Sequence, residues 1–240
     1  EQRDKTKPLP IYTNDKYLHS VQISPNEQYV TYILSDYPKN KQTQVEDHVT
    51  ESGWTESVNA RSKIGRKDAT HELYIYDLNN RTTLSVIPSD SELEGMYSRP
   101  NYLKDYEGDN YKAEDNVPKN IIFHGPYFSK DGKAIVEIKS YDNKDRWIVL
   151  VNLLDGSVNK IDHQHDEAWI GGPGISSWNG VPGNIGWLND NKTVFFQSEE
   201  TGYSHLYLYD TEKDKKKQLT EGKFEIHSAQ LSNDGSKFYV

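Results

Sequence analysis

Short runs of alternating apolar and polar residues recur along the chain, each beside a polar turn. Four copies share one pattern, in which an apolar residue is followed by a turn and then by an alternating strand. They read "ISPNEQYVTYI" from Ile23, "FSKDGKAIVEI" from Phe128, "WLNDNKTVFFQ" from Trp187 and "LSNDGSKFYV" from Leu231. The Asn, Asp and Asp-Gly turn residues favour the backbone geometry of tight hairpins. Each copy therefore predicts a strand, a turn and a second strand.

Three of the copies are followed by a second alternating run with a polar turn of its own. These runs read "ELYIYDLNNRTTLSVI" from Glu72, "WIVLVNLLDGSVNKI" from Trp147 and "LYLYDTEKDKKKQLT" from Leu206. Two hairpins in series make a four-stranded antiparallel unit, and repetition of that unit is typical of β-propeller blades. The sequence therefore predicts an all-β fold, a partial β-propeller with three four-stranded blades and half of a fourth.

The repeats place a β-propeller fragment over residues 1–240. Blade 1 is expected at about 21–87, blade 2 at about 124–162, blade 3 at about 184–220 and the start of blade 4 at about 226–240. The anchors Ile23 and Phe128 are 105 residues apart, whereas a typical blade takes roughly 40–50 residues. Blade 1 must therefore carry insertions, which we place at 36–70 and 89–120. Both are polar and lack a sustained period, so we expect irregular excursions with at most a short helix at 92–97.

Composition and charge exclude several classes of function. The formal net charge of −9 argues against a nucleic-acid partner, which would need a basic face. The chain has no cysteine, which excludes disulfides, thiolate metal sites and cysteine nucleophiles. No apolar run approaches the roughly 18 residues of a membrane span, and the first residues lack the apolar core of a signal peptide. We expect no cofactor and no membrane span.

The stretch Gly202-Tyr203-Ser204-His205-Leu206 almost matches the G-x-S-x-G nucleophile elbow of serine hydrolases. The elbow needs its second glycine because the strand-to-helix turn is too tight for a side chain there. Leu206 occupies that position, and the residues after it alternate as a strand does rather than as a helix. Ser204 is therefore predicted to be structural, and no catalytic residue is expected in this chain.

The C-terminal half resembles the N-terminal propeller of the prolyl oligopeptidase family of serine peptidases, especially its dipeptidyl peptidase IV branch. In that branch a strand with Ser-Glu or Asn-Glu leads into Gly-aromatic-x-His-aliphatic, followed one hairpin later by Leu-Thr-x-Gly-x-aromatic-Glu. The matching positions here are Ser198, Glu199, Gly202, Tyr203, His205, Leu206, Leu219, Thr220, Gly222, Phe224 and Glu225. The resemblance extends from about Phe128 to Val240. One departure is that the family's Tyr-Glu-Glu motif, whose glutamates hold the amino group of the substrate, does not occur in this sequence.

The resemblance implies a propeller that screens peptides for an α/β-hydrolase domain beyond residue 240, which would carry the catalytic triad. The resemblance also implies cleavage after proline or alanine and a periplasmic or extracellular location. It further implies a protein that is able to form a homodimer. An open ring would leave strand edges unpaired, so we also expect the native polypeptide to continue. A stand-alone TolB-like propeller that binds a protein or peptide is the alternative, and the sequence leaves it open.

Five residues are predicted to contact a peptide substrate. Glu167 is included because a carboxylate that pairs with a peptide amino terminus must come from a loop that faces the hydrolase. The other four flank or occupy the predicted hairpin loop after Ser198; they are Glu199, Glu200, Tyr203 and His205. Glu199 and His205 are residue types that serve in proton transfer, although such side chains more often fix the loop.

The densest group of potential metal ligands is His163, His165, Asp166 and Glu167. On a strand His163 and His165 face the same side, so a metal site is geometrically allowed. The sequence identifies no third and fourth ligand for those two histidines. We therefore expect no metal, and interpret the segment as a polar loop between two blades.

Overall fold

The computed structural model describes residues 10–63, 65–99, 102–112, 116–175 and 181–240. Strands dominate these residues, with one short helix, α1 (Tyr102–Glu107), and one 3₁₀ turn (Gly108–Asn110). The strands are β1 (Tyr17–Ile23), β2 (Tyr29–Asp36), β3 (Gln42–Asp47), β4 (Glu56–Ser62), β5 (Thr70–Asp77), β6 (Thr82–Val86), β7 (Tyr97–Ser98), β8 (Val117–Pro118), β9 (Ile121–Phe128), β10 (Ala134–Ser140), β11 (Asp145–Val151), β12 (Val158–His165), β13 (Ile185–Trp187), β14 (Thr193–Ser198), β15 (His205–Asp210), β16 (Lys215–Gln218), β17 (Gln230–Leu231) and β18 (Phe238–Tyr239).

Three antiparallel four-stranded sheets follow one another along the chain. Their strand orders are β1-β2-β5-β6, β9-β10-β11-β12 and β13-β14-β15-β16, and β17 pairs with β18 as the start of a fourth. Each sheet is a simple meander, as the paired hairpins of the sequence predict. The all-β expectation, with three blades and half of a fourth, is confirmed.

The hydrophobic core lies between successive blades. A first cluster joins blades 1 and 2 and includes Ile33, Leu73, Ile138 and Trp147. A second cluster joins blades 2 and 3 through the opposite face of blade 2, and a third, smaller one joins blade 3 to β17 and β18. Side chains on a strand alternate between the two faces of its sheet, so adjacent residues of blade 2 contribute to different clusters. Blades are thus held together face to face, by apolar burial on both sides of each inner sheet.

The two ends of each sheet differ in the length of their connections. At one end, which we call the short-turn end, tight turns join the first strand to the second and the third to the fourth. At the other, the connection end, lie the loops between second and third strands and the links from blade to blade. The chain leaves blade 1 at this end after β2, at Asp36, and after β6, at Val86. Long loops at one end of a rigid scaffold are where binding residues usually lie.

The short-turn end repeats one hydrogen-bonded turn. In blades 1, 2 and 4 a serine hydroxyl donates to an Asn or Asp two residues later, as from Ser129 to Asp131 (2.5 Å). The same hydroxyl accepts a backbone N–H further along, as from Lys133 (2.8 Å). Neighbouring turns also touch, because the backbone N–H of Lys130 donates to Asn191 in blade 3 (2.9 Å). The repeated Ser-x-Asn/Asp pattern therefore stabilises each turn, and the hydrogen bond between neighbouring turns aligns adjacent blades.

The first insertion of blade 1 forms a hairpin instead of the expected irregular excursion. Strands β3 and β4 pair antiparallel, and almost all of their residues are exposed. A strand pair with both faces in water has no reason to alternate apolar and polar residues, which explains the missing period. We call residues 42–62 the arm. At its base the side chain of Asn40 donates to the carbonyl of Lys67 (2.8 Å) and accepts from its N–H (3.1 Å).

The second insertion has no helix at 92–97, within the expectation of at most a short helix there. Residues 90–96 make turns instead, and α1 follows only at Tyr102. Leu93 and Met96 are buried in the first core cluster. One carboxylate oxygen of Glu92 accepts from the N–H of Ser89 (2.9 Å) and the other accepts from the N–H of Val158 (2.9 Å). Contacts with blade 2 thus determine this segment, and Gly95 at φ +79° interrupts any helix.

Candidate functional site

A cavity of about 990 Å³ lies at the connection end, between blades 1 and 2. Its walls come from both insertions of blade 1, the β10–β11 loop, the end of β12 and the residues just after it. Its charged lining comprises the acidic residues Asp68, Glu94, Asp142, Asp145 and Glu167 and the basic residues Arg99, Lys119 and Lys144. His163 and His165 also line it. The cavity therefore offers an acidic surface with two titratable rings.

Asp145 is the centre of this surface and is almost completely buried. Its Oδ1 atom lies 2.8 Å from His163 Nε2 and 2.8 Å from His165 Nδ1. Its Oδ2 atom accepts a hydrogen bond from Lys119 Nζ. One carboxylate thus fixes two histidines of β12 and a lysine of the insertion.

A β-bulge in the β11–β12 pair brings Asp145 and the histidines to one face. Near the turn Val151 pairs with Val158, but the register shifts between Ile148 and Val149. Beyond the shift Trp147 pairs with His163 and Asp145 with His165. Trp147 stacks on the His163 ring, with centroids 5.2 Å apart and planes 9° apart. A bulge inserts one residue into one strand and so changes which side chains share a face.

The side chains of this group shift one another's pKa values. Burial alone would raise the pKa of Asp145, but hydrogen bonds from His163, Lys119 and His165 outweigh it and lower that pKa to about 2. Burial opposes protonation of His165, yet its hydrogen bonds to Asp145 and Glu167 raise the pKa of that ring. The site therefore keeps a buried carboxylate ionised and attracts positive charge beside it.

Of the predicted substrate-contacting residues, Glu167 is the one that lines this cavity. It is exposed and lies near Lys144 Nζ (3.5 Å) and His165 Nε2 (3.3 Å). The described lining residues do not include Glu199, Glu200, Tyr203 or His205. The structure thus separates Glu167 from the other four.

Those four residues belong to the β14–β15 hairpin of blade 3, also at the connection end. The Glu199 side chain lies across Gly172 of the preceding blade link, so closely that a Cβ at Gly172 would overlap it. Glu200 is turned toward the outer strands, where it accepts from Lys216 Nζ. Tyr203 is 37% exposed at the loop. Glu199 is therefore half-buried against the blade link, Tyr203 reaches the surface of the loop, and Glu200 forms an ion pair at the blade edge.

His205 is buried, with both ring nitrogens engaged. Nδ1 lies 3.1 Å from Thr220 Oγ1 and Nε2 lies 3.0 Å from the carbonyl oxygen of Gly222. Phe224 contacts the ring edge-on. The side chain thus anchors the link from blade 3 to blade 4, and this structure leaves it no ring nitrogen for a peptide.

Ser204 is also inside the fold. Its hydroxyl donates to the carbonyl of Pro173 (2.6 Å) and accepts from Gln197 Nε2 (3.1 Å). Its neighbours on either side are a hairpin loop and strand β15, with no helix after it. The environment is that of a structural serine, as its sequence context predicts.

Comparison with known proteins identifies the family. The family model for the dipeptidyl peptidase IV (DPP IV) N-terminal region matches residues 20–239. The chain belongs to that family. A comparison with the curated proteins finds no match. The resemblance noted in the sequence is therefore confirmed, and the four-stranded sheets are blades of a DPP IV-type propeller.

Two solved structures show the same fold. The chain aligns with dipeptidyl peptidase 4 of Porphyromonas gingivalis at a TM-score of 0.56 and 15% identity, covering 90% of this chain and 26% of that one. It aligns with a candidate dipeptidyl aminopeptidase IV of Bacteroides ovatus at a TM-score of 0.54 and 16% identity, covering 89% and 28%. The DPP IV-type propeller described here thus spans about a quarter of the length of these proteins. In the described residues no helix is long and apolar enough to cross a membrane.

Proposed function

We propose that this propeller domain controls the access of peptides to the catalytic serine of an α/β-hydrolase domain in the same polypeptide. The parent would be a serine exopeptidase that removes dipeptides, with cleavage after proline or alanine, and would act in the periplasm or outside the cell. The observation that carries the proposal is the match of residues 20–239 to the DPP IV N-terminal region. No candidate nucleophile of the elbow type is exposed in the described residues, in keeping with a screening role.

The connection end has the features that such a role requires. Its cavity of about 990 Å³ is large enough for a short peptide segment. Glu167 places an exposed carboxylate at the cavity, where it would pair with the free amino terminus of a peptide. Glu199 and Tyr203 lie on a neighbouring loop of the same end and are assigned to later residues of the substrate. His205 is left out of this assignment because its ring is buried.

The experiment uses the full-length protein and chromogenic dipeptides that end in proline or alanine, with and without a blocked amino terminus. Glu167→Gln keeps the shape of the side chain and removes its charge. Loss of a charge-assisted hydrogen bond costs about 1.5–3 kcal/mol, so we expect KM for free-amino substrates to rise about ten-fold or more, with kcat little changed. Glu212→Gln, an exposed carboxylate at the short-turn end, is the matched control and should behave as wild type.

A fluorophosphonate probe tests where the nucleophile lies. Mass spectrometry should locate the label on a serine outside residues 1–240, and Ser204 should remain unlabelled. A protein that hydrolyses none of these substrates and takes up no probe would contradict the proposal. In that case binding of the peptides without turnover would favour the stand-alone binding module.

A further inference from the structure

We propose that Asp145, His163 and His165 form a binding site for Zn²⁺. The three side chains contribute Oδ1, Nε2 and Nδ1, and these atoms lie within 4.8 Å of one another. Two imidazole nitrogens and one carboxylate oxygen are a ligand set that zinc uses in proteins. The site does not depend on peptidase activity and goes beyond the proposed screening role.

The distances from Asp145 Oδ1 to the two ring nitrogens are close to those that the ion requires. Zinc holds nitrogen and oxygen ligands at about 2.0–2.1 Å in tetrahedral sites, which places neighbouring ligand atoms about 3.3 Å apart. Each imidazole nitrogen now lies 2.8 Å from Asp145 Oδ1, at hydrogen-bond distance. Each nitrogen would therefore move about half an ångström from the carboxylate oxygen. The hydrogen bond from each ring nitrogen to Asp145 Oδ1 is replaced by a bond to zinc. A neutral ring loses no proton in this exchange, because its proton moves to the other nitrogen of the same imidazole.

The surroundings already orient the three ligands. The atom of Asp145 that would not bind zinc, Oδ2, accepts from Lys119 Nζ. The ring nitrogen of His165 that would not bind zinc, Nε2, lies 3.3 Å from Glu167 Oε1. Trp147 stacks on the His163 ring and fixes its plane. Carboxylates that hold the second nitrogen of a ligating histidine are typical of zinc sites, where they set the tautomer and raise the basicity of the ligand.

The site is accessible from the cavity and suits a cation. The side chain of His165 is 43% exposed, whereas that of Asp145 is 1% exposed. Five acidic residues and three basic ones line the cavity, so its formal charge is negative while the histidines are neutral. Two imidazole ligands favour zinc over Ca²⁺ or Mg²⁺, which prefer oxygen atoms. The cavity leaves the fourth position of the ion open to water.

The first test is a calorimetric titration of the metal-free full-length protein with ZnCl₂ alone. His165→Asn removes one ligand at the exposed side of the site. His48→Asn, on the exposed arm, is the matched control. We expect wild type and the control to bind zinc tightly, and His165→Asn to lose at least about 100-fold in affinity for one equivalent. CaCl₂ should not compete for that equivalent. Unchanged zinc binding in a folded His165→Asn variant would overturn the proposal.

A second measurement needs no variant and therefore does not depend on its folding. Crystals of the wild-type protein soaked in ZnCl₂ are measured on both sides of the zinc absorption edge. The expected result is an anomalous peak within bonding distance of Asp145, His163 and His165. Absence of a peak there, in crystals that diffract well enough to place the three side chains, would contradict the site whatever the peptidase assays show.

Discussion

Arg146 is completely buried and joins two blades. Its guanidinium group contacts Glu137 Oε2 from Nε (3.2 Å) and from Nη2 (2.8 Å), while Nη1 donates to the carbonyl of Gln197 in blade 3 (2.8 Å). Gly183 approaches so closely that a Cβ there would lie 2.6 Å from Nη2. A buried ion pair with satisfied hydrogen bonds contributes little net stability relative to apolar side chains, but removal of one partner is costly. Arg146 therefore acts mainly by determining which surfaces of the two blades fit together.

We expect replacement of Arg146 alone to destabilise the fold more than replacement of Arg146 and Glu137 together. Arg146→Met leaves Glu137 as a buried charge without its main partner, and we expect it to lower the free energy of unfolding by about 3–5 kcal/mol. The double variant Glu137→Leu with Arg146→Met should recover part of that loss, because the Glu137 carboxylate is no longer buried without the guanidinium, whereas the buried Lys139 loses the attraction of Glu137. Urea denaturation measures both. Equal losses in the single and double variants would show that the hydrogen bond to Gln197, and not the buried carboxylate, dominates.

His124 is a second buried polar residue of blade 2. In the described part of the chain its Nε2 atom has no hydrogen-bond partner. Burial lowers the pKa of the ring; attraction by Glu137 opposes the shift, and repulsion by Lys139 and Arg146 adds to it. The nearby ring of His71 also has a lowered pKa, because burial and electrostatic repulsion by His19 and His124 oppose its protonation. His124 is thus neutral in the fold at pH values where it would be protonated in the unfolded chain.

The lowered pKa of His124 makes the fold less stable at acidic pH. Above about pH 6.5, the ordinary histidine pKa, His124 is neutral in both states and full stability is present. As the pH falls from there through the lowered pKa, the unfolded chain takes up the proton first and the fold loses stability. We expect the urea midpoint of His124→Phe to fall less than that of wild type between about pH 7 and pH 5. His48→Phe, on the arm, should follow wild type; parallel curves for all three would contradict the assignment.

At the scale of elements, the register of one hairpin decides whether the site exists. Regular pairing counted back from Val151 and Val158 would set Asp145 opposite Gln164, with both histidines on the other face. The observed shift between Ile148 and Val149 sets it opposite His165 instead. Alternation in the sequence predicts the strands, but a bulge leaves no alternation signal of its own. The blades could therefore be predicted from the sequence, and His163 and His165 noticed, while their partner Asp145 could not.

The two insertions of blade 1 look alike in the sequence and differ in what they bury. The arm exposes its apolar residues, including Val45 (54%) and Trp54 (79%), whereas Leu93 of the second insertion is 0% exposed. Polarity along the chain does not distinguish these cases, because a single buried leucine within a polar loop produces no period. What separates them is contact with blade 2, which only the folded structure supplies.

This difference predicts unequal consequences of mutation. Replacement of the arm, residues 42–62, by a short Gly-Ser linker should change the free energy of unfolding by less than about 0.5 kcal/mol, as for exposed substitutions. Leu93→Ala should cost about 2–5 kcal/mol because it leaves a cavity in the first core cluster. Denaturant unfolding of both variants measures this. A large loss on removal of the arm would mean that it packs on the fold.

At the scale of the whole molecule, blade 2 stabilises both of its neighbours. Trp147 and Val149 of β11 lie in the first cluster, and Ile148 between them lies in the second. Repeat proteins of this kind gain their stability from each unit and from the interfaces between adjacent units. A destabilising substitution in blade 2 should therefore increase local unfolding in both blade 1 and blade 3.

Hydrogen exchange with mass spectrometry measures this spread. In Ile148→Ala we expect faster amide exchange in β2 and β5 of blade 1 as well as in β14 and β15 of blade 3. Leu206→Ala is the matched control, because Leu206 is also fully buried but belongs to the third cluster. Its effect should be confined to blade 3 and the start of blade 4. Acceleration of blade 1 to the same degree in both variants would indicate a single cooperative unit.

The unequal ends of the sheets determine how the molecule can be attached to a surface. Turns of the short-turn end, such as 152–157 and 211–214, lie at the opposite end of the sheets from the cavity. A chemical tether or fluorophore placed in one of them would leave the acidic opening pointing away from the support. The same polypeptide coupled through the arm would carry the attachment on the side of the opening. Immobilised sensors made from this domain would therefore differ in access to their binding end, although the fold on the support is identical.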